Sequence, residues 1–197
     1  MIDNKDLITI QKTISPILKL GGVGIIPTDT LYGIVGGALK KETVERIYAL
    51  RKRDLKKPMI ILISGVGDLK KFGIILNSAQ KKILSNIWPG KVSIVFDCKY
   101  KKFEHLHRKS KTLAFRLPAD DELIGLLKKV GPLVAPSANL SGKKPAETYL
   151  EARKYFGEKV DFYVDSGKLK SKPSTIIKIG ESGEIEILRQ GAVKIKL

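Results

Sequence analysis

Cysteine is almost missing from this chain: of its 197 residues only Cys98 carries a thiol. A single cysteine excludes an intramolecular disulfide framework and fits a reducing compartment, so the expected location is the cytoplasm. Long apolar runs are lacking as well, and none approaches the roughly 18 residues that span a bilayer. The opening Met1-Ile2-Asp3-Asn4-Lys5-Asp6 lacks the basic-then-apolar layout of a secretory leader. Histidine is confined to His105 and His107. They have no cysteine or carboxylate partner at suitable spacing, so they read as surface histidines, and no protein-held metal is expected. There is no GxxxxGK(S/T), which excludes a P-loop enzyme. No Ser-His-Asp or Cys-His set is evident either, so no residue is assigned as nucleophile or base. Cys98 beside Lys99 reads as a core or edge thiol.

Negative charge is also scarce: 20 Asp and Glu face 37 Lys and Arg, a formal net charge of +17. That excess is either a solubilising lysine coat or the mark of a polyanionic partner, nucleic acid or nucleotide. One nucleotide engages only a few cations, which leaves most of the excess for a possible weak contact with tRNA or other RNA. A hydrophobic fraction of 43% supports a packed globule. The length suits one well-cored domain, 1–197, and no repeat or low-complexity linker divides it.

What the chain does have is a dense polar heptad, Pro27-Thr28-Asp29-Thr30-Leu31-Tyr32-Gly33, closing the apolar run Val23 to Ile26. Pro27 cannot donate to a central ladder, so the strand stops there. Buried in a core strand, each of these polar groups needs a hydrogen-bond partner. They suit a surface turn with a satisfied aspartate, or a strand end that opens onto a site.

Apolar spacing predicts the elements around it. Leu7, Ile10, Ile14, Ile17 and Leu18 mark an amphipathic first helix that Pro16 kinks or splits near residue 15. Further helices are predicted over 42–51, 66–71, 78–87, 120–129 and 148–156. Strands are predicted over 23–26, 59–63, 92–96, 113–117, 133–135, 160–164 and 174–179, and 34–38 returns to the core. Lys99 to Lys111, with six Lys/Arg and Phe103, reads as a solvated loop. Glu181-Ser182-Gly183 turns the last strand into 184–188, a hairpin, so parallel and antiparallel pairs are mixed in an α/β fold.

Three groups carry chemistry. Arg51, Arg53 and Lys57 lie where a helix ends, and either complement its C-terminus or clamp phosphates. Ser137-Ala138-Asn139, flanked by Pro136 and Gly142, lies in a loop as turn formers or ligand contacts. Arg116 interrupts the apolar strand between Phe115 and Leu117, and a buried arginine needs an anion. That anion is either a substrate or a core carboxylate such as Asp29.

The heptad, Arg51-Lys52-Arg53 with Lys57-Pro58, Trp88-Pro89-Gly90, Phe115-Arg116-Leu117-Pro118, Ala135 to Gly142, Pro173-Ser174-Thr175-Ile176 and Leu188-Arg189-Gln190-Gly191 follow one another in order. In that order and spacing the set resembles the threonylcarbamoyl-AMP synthase family, the single-domain YrdC-like type, from about residue 8 to about 192. The resemblance implies a twisted mixed parallel/antiparallel sheet flanked by helices around a concave basic cavity. It implies that Arg51, Arg53, Lys57, Thr112, Ser137, Asn139 and Arg189 contact ATP. It puts L-threonine against Thr30, Tyr32, Arg116, Ala135 and Ser174. Arg51 stands where the family usually has lysine, Asp54 where it has proline, and Leu62 at a position where many members have a threonine-contacting histidine.

The reaction so implied joins L-threonine, bicarbonate and ATP into threonylcarbamoyl-AMP and pyrophosphate, with Mg²⁺ carried on the phosphates. The product goes to a tRNA threonylcarbamoyl transferase complex. Two other readings compete: an RNA-binding or ribosome-assembly protein that uses its basic surface, and a carbamoyl-transfer enzyme like the YrdC-like module of hydrogenase maturation proteins.

Overall fold

The computed structural model describes residues 7–195, with side chains from residue 11 onward. The first helix, α1, runs over Leu7–Lys19 with Pro16 inside it, so the expected split near residue 15 does not occur. Pro16 and Lys12 both face solvent. The Lys12 carbonyl, deprived of its intrahelical donor, is therefore left to water. Leu7 and Ile10, two of the apolar positions expected on this helix, have side chains outside the described set. Gly21, at φ +98°, ends the helix in a conformation that a side chain would strain.

Strands β1 (Gly24–Ile26) and β2 (Gly33–Gly37) flank the heptad, and α2 (Lys41–Arg51) follows. Next come β3 (Ile60–Leu62), a 3₁₀ turn over Val66–Phe72, α3 (Ser78–Ile87) and β4 (Val92–Asp97). The short α4 (Glu104–His107) precedes β5 (Thr112–Arg116), α5 (Asp121–Val130) and β6 (Leu133–Val134). The chain closes with α6 (Tyr149–Phe156), β7 (Phe162–Tyr163), β8 (Thr175–Ile179) and β9 (Ile185–Arg189). Side-chain caps fix several helix starts. Asn77 and Gln80 form a reciprocal capping box, while Asp120 and Thr148 accept from the backbones of Leu123 and Glu151.

All nine strands join one mixed sheet, in the order β7-β1-β2-β6-β3-β5-β4-β8-β9. β1/β7, β3/β5 and β4/β8 are parallel pairs, and the others are antiparallel, including the expected β8–β9 hairpin. Consecutive residues point to opposite faces. Ile25, Ile34 and Ile61 enter one core with α2, α3 and α6, and Ile26, Val35 and Leu62 enter a second with α1 and α5. Each fully buried aliphatic contributes about 1.5–3 kcal/mol.

The second core does not continue across the sheet. Its members stop at β3, whereas Ala114, Val95, Ile176 and Lys178 occupy that same face further along and are half-exposed. Half of the sheet is thus packed on one side only. Its open side adjoins the end of the heptad.

The Lys99–Lys111 segment departs from the expected solvated loop. It forms a 3₁₀ turn and α4, and Phe103, Leu106 and His107 are buried. His107 accordingly is no surface histidine. Its Nδ1 accepts from the Lys109 backbone, and His105 Nε2 lies 3.2 Å from the Ala38 carbonyl. Among the described residues no helix is long and apolar enough to cross a membrane.

Candidate active site

The heptad folds around the Thr28 hydroxyl. Thr28 Oγ1 donates to the Leu31 carbonyl at 2.7 Å and accepts from the Thr30 and Leu31 amides. Its single proton is thereby committed. The 3.1 Å contact between the Thr28 and Thr30 hydroxyls must then have Thr30 as donor, and Thr30 accepts from Arg116 Nη1 at 2.9 Å. A directional chain, Arg116 to Thr30 to Thr28 to the Leu31 carbonyl, holds the guanidinium at the end of β5.

The same guanidinium meets Asp29: Nη2 lies 3.0 Å from Oδ1, and both side chains are almost wholly buried. Burial pushes the Asp29 carboxyl up and the Arg116 guanidinium down, and each opposes the shift in the other. The core carboxylate partner that a buried arginine calls for is therefore present. Arg116 Nε is buried with no partner among the described residues.

Across the cavity, Arg51 at the end of α2 is buried among the Ser137–Asn139 residues. Its Nε donates to the Asn139 carbonyl at 3.1 Å, and Nη2 reaches Asn139 Oδ1 at 3.2 Å and Ser137 Oγ at 3.4 Å. Nη1 has no partner among the described residues, and burial, aided by the Arg53 charge, pulls this guanidinium down to about 10. Arg53 donates to the carbonyls of Lys57 and Pro58, which folds the 52–58 loop back on itself. From the β9 edge, Arg189 Nη2 donates to the Ser174 carbonyl at 2.7 Å. Ser174 Oγ in turn lies 2.9 Å from Ser93 Oγ, and both side chains are buried.

These groups enclose a cavity of about 150 Å³, lined by Thr30, Arg51, Arg53, Arg116, Ala135, Ser137, Ser174 and Arg189 among others. Among the described residues, four arginines and no carboxylate face it. Burial lowers Arg53, Arg116 and Arg189, and repulsion adds to it at two of them, Arg53 acting on Arg189 and Arg189 on Arg116. Desolvated cations with unfilled N–H groups favour an anion. A cavity of this volume suits a molecule of amino-acid size.

The remaining expected contacts differ in where the structure puts them. Tyr32 lines the cavity, but its ring is fully buried and its hydroxyl is engaged, donating to the Gly167 carbonyl and accepting from the Ser166 amide. Asn139 is outside the lining. Its amide is spent on the carbonyls of Leu140 and Lys143, and its oxygen accepts from Arg51 and Ser137. It buckles the loop. Lys57 is exposed and outside the lining, and contributes its carbonyl to Arg53 and to the Tyr48 hydroxyl. Thr112 lies at the opposite end of β5 from Arg116, on the same open face. Leu62 is fully buried in the second core. Ser93, which supports Ser174, went unread in the sequence, and Thr28 was read only as part of the polar heptad, with no role of its own. Ser93 had a signal of the kind that marks Arg116, a lone polar residue inside an apolar strand.

The Sua5/YciO/YrdC family model, described as "Telomere recombination", matches residues 16–191. A Methanocaldococcus jannaschii protein with a provisional threonylcarbamoyl-AMP synthase name is 37% identical over 177 residues, 89% of this chain and 83% of its own length. The Nitrosococcus oceani protein named threonylcarbamoyl-AMP synthase is 28% identical over 85% of this chain and 91% of its own. Among solved structures, Pyrococcus abyssi Sua5 complexed with L-threonine superposes with a TM-score of 0.86 at 25% identity. That match covers 96% of this chain, which spans only 56% of that longer protein. Escherichia coli YciO, at 23% identity and a TM-score of 0.83, shares the fold over 98% of this chain and 94% of its own.

Proposed function

The chain belongs to the Sua5/YciO/YrdC family, and on that footing we propose that it is a threonylcarbamoyl-AMP synthase, a nucleotidyltransferase acting in tRNA modification in the cytoplasm. One observation carries the reading: four arginines converge on one cavity that no carboxylate lines, with N–H groups of Arg51 and Arg116 buried and unfilled.

In this reading L-threonine sits at the Arg116 end. Its carboxylate takes the free edge of the guanidinium that Thr30 and Asp29 hold in place, with Ala135 and Ser174 shaping the pocket. The triphosphate lies among Arg51, Arg53, Arg189 and Ser137, and the nucleoside extends over the open face of the sheet toward Thr112. Asn139 acts through Arg51, and Lys57 through the loop that Arg53 closes.

The amine of threonine and bicarbonate give a carbamate and water. A carbamate oxygen then attacks the α-phosphorus of ATP, and pyrophosphate leaves. The chain supplies positioning and positive charge for this step rather than a covalent nucleophile. A Mg²⁺ ion suits such a site as a rider on phosphate oxygens and water, since the lining offers it no carboxylate. The experiment is pyrophosphate release from ATP-Mg²⁺ by purified protein. The reading expects release that requires both L-threonine and bicarbonate, and no such dependence together with no calorimetric binding of either ligand would sink it.

A further inference from the structure

Apart from the terminal Asp97, Ser93 is the only polar residue of β4, and it is fully buried. Val92 and Ile94 enter the first core, so Ser93 points to the opposite face, where Val95 is half-exposed. It pairs in register with Ile176 of β8, which lines the cavity beside Ser174, whereas Ser93 itself lies outside the lining. The serine thus stands one layer behind the cavity wall. A hydroxyl sealed there costs stability unless it is bonded, a cost that an aliphatic side chain would not carry.

Among the described residues the Ser93 hydroxyl has one hydrogen-bond partner, Ser174 Oγ at 2.9 Å. The backbone around Ser174 is pinned from two sides. The Thr175 amide donates to the Lys91 carbonyl, and Arg189 Nη2 donates to the Ser174 carbonyl. What these bonds leave open is the direction of the two hydroxyl protons.

Counting donors settles that direction. Arg189 Nη2 also lies 3.5 Å from Ser174 Oγ, and a guanidinium only donates, so toward it Ser174 is an acceptor. Were Ser174 to donate to Ser93, the Ser93 proton would be sealed in the strand with nothing to receive it, the costly case for a buried donor. With Ser93 as donor, its single proton is used. The proton left over is then that of Ser174, which lines the cavity. None of the four arginines can take it, because they carry donors alone.

We infer that Ser93 is a positioning residue: it donates to Ser174 and so turns the Ser174 proton into the cavity, onto an acceptor oxygen of the amino-acid substrate. This rests on the reading that places L-threonine at the Arg116 end of the cavity. Arg116 and Ser174 are then two donors for one small ligand, the first charged and the second neutral. Ser93 touches no ligand, and acts only by fixing which member of the pair gives its proton.

The test has two arms. Urea unfolding of the full chain without substrates reads the direction of the bond. Ser174→Ala strands the Ser93 proton and should lower the midpoint more than Ser93→Ala, which leaves Ser174 free to turn toward the cavity. The double variant Ser93→Ala/Ser174→Ala should regain part of the loss. The reverse order, with Ser93→Ala the less stable single variant, would overturn the inference.

Steady-state kinetics read the consequence. Ser93→Ala should raise the threonine KM roughly three- to tenfold, the scale of one neutral hydrogen bond, with the ATP KM and the kcat at saturating threonine nearly unchanged. Ser93→Thr keeps the donor and should recover the affinity. Ser93→Cys fills the space but donates weakly, and should not. Adding Ser93→Ala to Ser174→Ala should raise the threonine KM no further, because the two hydroxyls act as one unit. Additive losses would overturn the inference. So would an equal KM shift from Ser15→Ala, which alters a buried serine of α1 outside the cavity lining. A chain with no threonine-dependent turnover would sink the proposed reaction, while the order of the urea midpoints still decides whether Ser93 is the donor.

Discussion

Arg116 Nη2 lies 3.0 Å from Asp29 Oδ1, with the two side chains only 5% and 4% exposed. Removing one member of such a pair strands the other charge, at a cost of about 3–5 kcal/mol. Arg116→Ala should therefore both destabilise the fold and raise the threonine KM by roughly 10- to 150-fold, the scale of a charge-assisted hydrogen bond. The ATP KM should change far less. Arg116→Lys keeps the charge but cannot serve Thr30 and Asp29 with the same fork, and should recover stability better than threonine affinity. Urea unfolding run beside steady-state kinetics separates the two losses. If ATP and threonine KM rise equally, Arg116 is a structural residue.

Asn139 is expected to matter through Arg51. Its Oδ1 is one of the few acceptors that this buried guanidinium has. Asn139→Ala leaves Arg51 Nη2 with only the long 3.4 Å contact to Ser137 Oγ, costing about 1–3 kcal/mol of stability. The ATP KM should rise as Arg51 loses its orientation, with the threonine KM nearly fixed. Calorimetric titration of ATP into the folded variant checks this, and unaltered ATP affinity would show that the loop orients Arg51 without that oxygen.

The arginines should also tune the substrate amine. Only a neutral amine forms the carbamate, and nearby cations disfavour the ammonium and so lower its pKa. Replacing Arg53 with Gln removes one of them, raises the amine pKa, and should carry the acidic limb of the kcat profile to higher pH. A fall in kcat with the limb in place would mean that Arg53 acts on phosphates alone.

Asp161 should contribute to acid sensitivity. It accepts from Arg46 at 2.7 and 3.0 Å and from the Val23 amide, and the Arg46 bonds hold its carboxyl below the usual range. A depressed folded-state pKa means stability present above the ordinary carboxylate value of about 3.9 and lost as pH falls through the lower folded one. Asp161→Asn should thus be less stable than wild type at neutral pH, with the gap closing in acid. The pair is partly exposed, so the effect is modest. Urea midpoints from neutral pH downward measure it, and a gap constant with pH would assign the bond to the backbone alone.

The sequence made some of this plain and hid the rest for physical reasons. A cation between Phe115 and Leu117 announces a buried charge because apolar neighbours leave it nowhere else to go. That its partner is Asp29, from another strand end, was legible only as one candidate. The motif set placed Thr30, Arg53, Ser137, Ser174 and Arg189 near one another, since residues at strand ends and loop tips converge in a twisted sheet. Tyr32 lines the cavity as the resemblance implies, but its hydroxyl is engaged by Gly167 and Ser166, more than a hundred residues away, which no local motif reveals. Lys99–Lys111 misleads through composition: its lysines mask Phe103, Leu106 and His107, three buried positions at helical spacing. Pro16 does not split its helix, since a proline rule takes no account of which carbonyl faces water. Strand order was beyond reach, because β6 enters between β2 and β3 only through long-range pairing.

The half of the sheet that lacks a second helix layer sets a clock on its own amide protons. β8 and β9 are backed by side chains on one face only, and β9 alternates half-buried with exposed residues. Deuterium should therefore enter these strands sooner than β1, β2 and β3, whose opening requires two cores to part. A molecule lying across the bare face supplies the missing layer while it stays. Slowed exchange at Ile176 and Lys178, with β1 unchanged, would then report occupancy directly, before any bond in that molecule is made or broken.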